Sequence, residues 1–393
     1  MRAGDFSPTS PGHLVKNLQG QLSYVPAPLP ARFTWTDSLV KQVALTGQAL
    51  GELTGLGRKL PNPQRLVRMF LRREAELSSR IEQTHARIRT MLLFEHLPAV
   101  ADDVPAVREV ANNYKALEFS FVSGGESAAV TVALIRRMHE ILFDGIEQPH
   151  VKAGRFRQIP NFIGHSTDIE DARYVPPPPQ EVNRCMTELV DYVRRPGDLP
   201  TVVRCALAHY QFEAIHPFID GNGRVGRALV LLILNREGAL PVPLLNPSAE
   251  LERRRHEYYD RMLAVTQHGE WTAWVEFFAA CVEVEARDAC QRLIRLDALR
   301  DAYRAKYGAA RTSALLLRLI DELFAEPAIT TRDAASRLKI NSTNAQRLVD
   351  KLVAGGLLEE VTGQQRNRVY LAQEIIDVFS TRRNKSAENA DNA

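Results

Sequence analysis

The sequence predicts a mainly α protein: a helical bundle bearing one small β-hairpin, followed by a C-terminal winged helix-turn-helix unit. Three observations carry this reading. Apolar residues recur at three- and four-residue steps through most of residues 37–299, and short apolar steps with a Gly and a Pro interrupt them at 151–163. Residues 313–371 then hold three helical patterns followed by two alternating stretches around a Gly-containing turn.

Residues 1–36 contain five prolines and little periodicity and are expected as an extended arm over the surface. A helix is predicted over 37–56, a break at the Pro-Asn-Pro of 61–63, and a helical stretch over 64–95. In that stretch Leu66, Phe70, Leu77, Ile81, Ile88 and Leu92 recur at steps of four or seven among Arg and Glu. Helices at 110–120 and 128–143 follow. VKAGRFRQIPNFI at 151–163 reads as a hairpin or irregular loop, and the four prolines at 176–179 as a stiff polyproline spacer. Helices resume over 180–194, 201–215, 223–237 and 251–265, and 271–299 supplies one or two more, with Trp271, Trp274, Phe277 and Phe278 as core. In the last unit 313–325, TRDAASRL at 331–338 and STNAQRLVDKLVAGG at 342–356 are helices, and LLEEVTGQQRNRVYL at 357–371 gives two short strands. The polar tail 381–393 is expected to be disordered. The domain division expected is 1–105, 106–300 and 311–380.

The chain has 393 residues, room for two or three domains each with its own core. With 45% hydrophobic and 25% charged residues it is of soluble globular composition, neither disordered nor collagen-like. Lys and Arg number 50 against 47 Asp and Glu, and a net charge of +3 argues neither for nor against an anionic partner. The four cysteines form no C-x-x-C pair, and Cys205 with His209 has no second ligand pair, so neither a zinc site nor a redox dithiol is supported; His209 reads as structural. No apolar leader follows the N-terminus, and the longest strongly apolar run, 228–234, is far short of the roughly 20 residues of a membrane span. The expectation is a cytoplasmic protein without membrane contact.

The densest set of reactive groups is His216-Pro217-Phe218-Ile219-Asp220-Gly221-Asn222-Gly223-Arg224-Val225-Gly226-Arg227. Glycines on both sides of Asn222 permit a tight turn whose N–H groups point inward, just before a helix start, and such a nest is an anion site. Arg224 and Arg227 share one helix face and can hold successive phosphates, while Asp220 offers a hard oxygen for Mg²⁺. His216 at the other end of the loop can accept a proton from a hydroxyl attacking the bound phosphate. The bland alternative is an ordinary helix start beside a structural histidine. No Walker A loop or dinucleotide fingerprint is present.

HPFIDGNGRVGR matches in full the signature H-x-F-x-[DE]-G-N-G-R-x-x-R, and on it the chain resembles the Fic family over roughly residues 1–380. The resemblance implies the Fic helical bundle and the transfer of AMP from ATP, with Mg²⁺, to a Ser, Thr or Tyr hydroxyl of a protein, releasing pyrophosphate. It implies His216 as general base, Asp220 as magnesium ligand, Phe218 as the anchor of the loop, Asn222 and Gly223 as the α-phosphate cradle, and Arg224 and Arg227 as ligands of the β- and γ-phosphates. Removal of AMP from a modified protein would use the same groups.

On composition alone Ser78-Ser79-Arg80-Ile81-Glu82 is a solvated Arg/Glu-rich helical face. It is similar, however, to the family's inhibitory helix, [ST]-x-x-x-E-[GN], which implies that Glu82 pairs with Arg227 and makes ATP bind unproductively; position 83 departs from the pattern, being Gln. The stretch 154–164 resembles the family's flap, which implies target docking by Arg155, Phe156, Arg157, Gln158 and Ile159, with Pro160 limiting backbone pairing. Tyr258 and Tyr259 lie in a region that in similar proteins encloses the nucleotide base, with plain core packing as the alternative. Asn112, Asn113 and Tyr114 resemble a family segment but receive no chemistry.

In the C-terminal unit the third helix presents Asn344, Gln346, Arg347, Asp350 and Lys351, and the following turn Arg366 and Arg368. Residues 332–368 carry seven Lys or Arg and four Asp or Glu, a weak electrostatic footprint that leaves DNA contact and protein contact both open. The expected protein is an adenylyltransferase, assembled as a homo-oligomer, with a protein substrate. A DNA-binding regulator switched by its nucleotide site is the other class.

Overall fold

The computed structural model describes residues 1–17, 20–59, 63–97, 105–122, 129–164, 169–308 and 314–380. The expected tail at 381–393 and most of the break at 61–63 lie outside the described residues. The arm runs over the core, as its prolines suggest, and carries an antiparallel hairpin of β1 (His13–Lys16) and β2 (Leu22–Val25). Ser10 Oγ donates to the Thr266 carbonyl at 2.7 Å, and Tyr24 is fully buried.

Helix α1 (Asp37–Lys59) packs along α11 (Trp271–Tyr307), a single helix of 37 residues that runs straight through the domain boundary expected at 300. The stretch expected to be continuous over 64–95 is two helices, α2 (Pro63–Ile81) and α3 (Ile88–His96). The apolar steps keep their spacing through the connecting turn, so periodicity could not reveal the break. The break turns on Gln83, at φ 66°, with Thr84 N–H donating to Ser79 O at 3.0 Å. The left-handed conformation costs a residue with a side chain about 1 kcal/mol. Gln83→Gly removes that cost, partly offset by the greater freedom of Gly in the unfolded chain, and should raise the thermal midpoint by roughly 1–2 °C in calorimetry. A lowered midpoint would show that the Gln83 side chain contributes more than its backbone costs.

Next come α4 (Pro105–Val122) and α5 (Val132–Leu142), then the loop to α6 (Pro179–Arg194). The expected small hairpin therefore exists, but in the arm. The 154–164 segment is irregular, with a single bridge pairing Ile163 and Tyr174. The Arg157 N–H is spent on Pro217 O at 2.9 Å and Pro160 has none to offer. Helices α7 (Thr201–Ile215) and α8 (Asn222–Arg236) pair at the centre, and α7 is buried nearly all round, as its unbroken apolar composition requires. The helix expected at 251–265 is split at Arg254 into α9 (Ser248–Arg253) and α10 (Arg255–His268). Trp271, Trp274, Phe277 and Phe278 are core, and Trp274 Nε1 donates to the Ala206 carbonyl at 2.9 Å.

The C-terminal unit comprises α12 (Ala314–Leu323), β3 (Ala328–Thr330), α13 (Thr331–Leu338), α14 (Ser342–Ala354), β4 (Glu359–Glu360), β5 (Val369–Leu371) and α15 (Gln373–Ser380). Its antiparallel sheet has the order β3-β5-β4, a winged-helix-like arrangement; β3 and α15 are absent from the sequence reading. Asn344, Arg347, Asp350 and Lys351 are exposed, whereas Gln346 is half-buried and bonded to Thr331 and Asp350 at 2.7 Å each. The unit docks on α2. Arg72, 2% exposed, bridges Glu326 at 2.8 Å and Glu95 at 2.7 Å, Arg73 Nε donates to Phe379 O at 3.2 Å, and Phe70 meets Phe379 edge to face. Among the described residues no helix is long and apolar enough to cross a membrane.

Candidate active site

The motif loop lies between α7 and α8, and its own side chains shape it. His216 ends α7 in a left-handed conformation, φ 49° and ψ 61°. Gly221 repeats that geometry at φ 78°, and a Cβ there would press within 2.8 Å of Leu142. Asn222 closes the loop: its Oδ1 accepts from Phe218 N–H at 2.8 Å and its Nδ2 donates to Phe218 O at 2.9 Å. The Asn222 side chain is thus consumed in folding, and what its position offers a ligand is backbone at the start of α8. Phe218 is fully buried, its ring stacked on His139 with centroids 3.8 Å apart.

His139 is a residue of the candidate site that sequence reasoning missed. Its Nδ1 accepts from Gly154 N–H at 2.9 Å and its Nε2 faces Asp220 O at 3.0 Å, so a neutral ring protonated at Nε2 ties the 154–164 loop to the motif loop. Burial pushes its pKa down to about 4. The sign follows: the unfolded chain takes up the proton first, near 6.5, so this contribution to stability is complete above 6.5 and is lost as pH falls toward 4. In urea unfolding, the parent should lose on the order of 2–3 kcal/mol more than His139→Gln between pH 7 and 4. Equal losses would mean that His139 titrates normally.

His216 is half-buried at the cavity wall. Burial first, and then the Arg157 guanidinium, push its pKa down to about 4, so the ring is neutral at pH 7. Arg157, expected among the docking residues, is buried and not presented to solvent. It is 3% exposed, and it donates from Nε to His216 O at 2.8 Å and from Nη2 to Pro177 O at 2.5 Å. The bond to the His216 carbonyl positions the histidine. Arg155, Gln158 and Ile159 are exposed, Ile159 at 57%, while Phe156 is half-buried against Phe218.

Asp220 is 44% exposed; its Oδ1 takes the Gly221 N–H at 2.5 Å and stands 3.5 Å from Arg224 Nη2. Arg224 is buried, 3.3 Å from Glu109 Oε2 and stacked over Phe143. Arg227, 1% exposed, is clamped from α2: Nε donates to Ser78 Oγ at 2.9 Å, and Nη2 to Ser78 O at 2.9 Å and to Glu82 Oε1 at 2.7 Å. Burial pushes the Glu82 carboxyl up, but Arg227 overrides it and holds the carboxyl below the usual range. Gly223 makes this possible: a Cβ there would collide with Glu82 Oε1 and stand 2.7 Å from Arg227 Nη1.

The solvated-face expectation for 78–82 is therefore wrong for this helix. Arg72, Arg73, Glu74, Ser78 and Ser79 of α2 are all buried, each satisfied by distant partners, such as Glu74 by Ser248. Asn113 is one of the anchors, its Nδ2 donating to Ala75 O and Ser79 Oγ at 3.2 Å, while Asn112 ties α4 to the end of α5 through Leu142 O and Asp144 O.

A cavity of about 430 Å³ opens on these groups, lined among others by Glu82, His216, Gly223, Arg227, Tyr258 and Tyr259. Asp220 and Arg224 are not in its lining. Tyr258 is 1% exposed with its hydroxyl 2.7 Å from His209 Nε2, and Tyr259 packs beside it at 5.0 Å. His209 is fully buried, consistent with a structural role.

Residues 129–234 match the Fic/DOC family and residues 40–122 the Fic/DOC family N-terminal segment. A protein adenylyltransferase Fic of Nematostella vectensis is 32% identical over 180 residues, 42% of this chain and 39% of its own length. That of Drosophila willistoni is 29% identical over 170 residues, 43% of this chain and 31% of its own length. The chain thus spans well under half the length of these curated relatives. A Fic family protein from Desulfovibrio desulfuricans shares the fold, with a TM-score of 0.53 over 88% of this chain and 98% of that one at 21% identity.

Proposed function

We propose, for a Fic-domain protein related to the Fic adenylyltransferases, that the chain transfers AMP from ATP to a Ser, Thr or Tyr hydroxyl of a protein, its own chain included, and that Glu82 inhibits the reaction. One observation carries the reading. The Glu82 carboxylate stands 2.7 Å from Arg227 and against the bare Cα of Gly223 in the first turn of α8, where this reading puts a phosphate of ATP. Helix N-terminus and guanidinium together form an anion site, and the chain fills it with its own anion.

With Glu82 withdrawn, Arg227 and the N–H groups of α8 would hold the phosphates, and Tyr258, Tyr259, Met262 and Leu263 would enclose the adenine in the cavity. The neutral His216 takes the proton of the target hydroxyl as its oxygen bonds to the α-phosphorus. The bond from that phosphorus to the bridging oxygen breaks and pyrophosphate leaves. Arg157, bonded to the His216 carbonyl, fixes the base in place. Among the described residues no group of three or more His, Cys, Asp or Glu could hold a metal. One exposed carboxylate suits Mg²⁺, which keeps waters and substrate phosphates as its other ligands, so Asp220 with ATP is a fitting donor set. The ion supplies charge neutralisation when bound.

The test is to incubate the Glu82→Gly variant with ATP labelled at the α-phosphate and, separately, at the γ-phosphate. Protein-bound α-label supports the transfer. Label from the γ-phosphate alone would make the chain a kinase, and none from either would end the proposal.

A further inference from the structure

A second concavity, of about 670 Å³, adjoins the 154–164 loop on the side of α6 and is lined by Arg136, Arg155 and Arg157. The remaining lining is neutral: Asn17, Asn183, two glutamines, two prolines and Phe156, with no carboxylate. Among the described residues, three cations thus line one groove without a counter-charge. Arg136 Nε donates to Gly154 O at 2.7 Å and its guanidinium lies over the Phe156 ring, and Arg155 is exposed; neither pairs with a carboxylate among the described residues. Arg157 is 3% exposed, and among the described residues it bonds only to carbonyls and its Nη1 has no hydrogen-bond partner. A buried guanidinium without a carboxylate carries a desolvation cost that an incoming anion would offset.

Resting on the transfer reading above, we propose that this groove receives an acidic side chain of the polypeptide whose hydroxyl is modified. The loop connects the two concavities. Phe162, Ile163 and Gly164 line the cavity with His216, whereas Arg155 to Gln158 and Pro160 line the basic groove. Gln158 and Ile163 lie at most about 17 Å apart along the chain, so a target strand lying along the loop places its acidic residue within about five positions of the hydroxyl. A nucleic acid fits less well, because duplex and single-strand binders neutralise a row of phosphates along a track. Here the cations converge on one short recess, flanked by amides and prolines.

The binding arm uses a fluorescein-labelled peptide carrying four consecutive glutamates and anisotropy on the parent chain. Saturable binding is expected, weakened about tenfold or more by Arg136→Ala/Arg155→Ala and unchanged by the equal charge removal Arg194→Ala/Arg195→Ala. No binding, equal weakening by both pairs, or displacement by an equimolar oligonucleotide or inorganic phosphate overturns the inference. The transfer arm compares two peptides with a single Thr, one with Glu and one with Gln five residues to either side, as substrates of Glu82→Gly. Faster labelling of the Glu peptide is expected, and equal labelling overturns the inference while leaving the transferase intact. If no protein or peptide takes up α-label, the transferase reading fails and the binding arm still decides on the groove.

Discussion

Replacing Glu82 by Gly should raise the initial rate of AMP incorporation on the order of 10²-fold, the scale associated with restoring one preorganised charge contact in a phosphoryl-transfer site. The gain depends on Arg227 keeping its aim once its carboxylate is gone. It does so through Ser78, whose Oγ and O each stand 2.9 Å from the guanidinium and belong to the buried part of α2. Glu82 itself lies one position beyond the end of α2 with its side chain 32% exposed, so removing it leaves no cavity in the core. A buried charge deprived of its partner is normally costly. Glu213, whose carboxyl burial pushes up to about 8, is a second carboxyl that Arg227 draws down and Glu82 pushes up. An unchanged rate in Glu82→Gly would mean that the carboxylate does not compete with the γ-phosphate.

In that released background, His216→Asn should remove a factor of about 10²–10⁴, the usual contribution of a general base. Asn is the better replacement than Ala because residue 216 has φ 49°, which Asn tolerates and Ala does not. The pH profile supplies an independent sign. A base with an ordinary histidine pKa would lose half its active form at pH 6.5; His216, pushed down to about 4, stays neutral well below that, so the rate should hold between pH 8 and 5.5 and fall only on further acidification. A rate that halves near pH 6.5 would show an exposed, normally titrating imidazole.

The motif loop was legible because its logic is local. His216, Asp220, Gly221 and Asn222 shape one turn, and the hydrogen bonds that close it span only one to four positions. The Glu82–Arg227 pair was not readable from α2 itself, because its members are 145 positions apart; only the resemblance to a family motif joined them. An Arg/Glu-rich stretch suggests a solvated face, and α2 escapes that rule because Arg72 and Arg73 find partners far along the chain, among them Glu326 and the Phe379 carbonyl of the C-terminal unit. His139 looked like one more residue of an amphipathic helix, since nothing in its neighbourhood signals bonds to Gly154 and Asp220. The burial of Arg157 was missed for a related reason: its partners are backbone carbonyls, which no sequence pattern displays. The split of 64–95 at Gln83 escaped because a seven-residue step bridges the turn without disturbing the apolar rhythm.

The central claim is that Glu82 inhibits by occupying Arg227, and a double-mutant cycle on α-label incorporation tests it most directly. Rates are compared for the parent, Glu82→Gly, Arg227→Ala and Glu82→Gly/Arg227→Ala. Activation by Glu82→Gly is expected, and it should vanish when Arg227 is also replaced. Equal activation with and without Arg227 would contradict it.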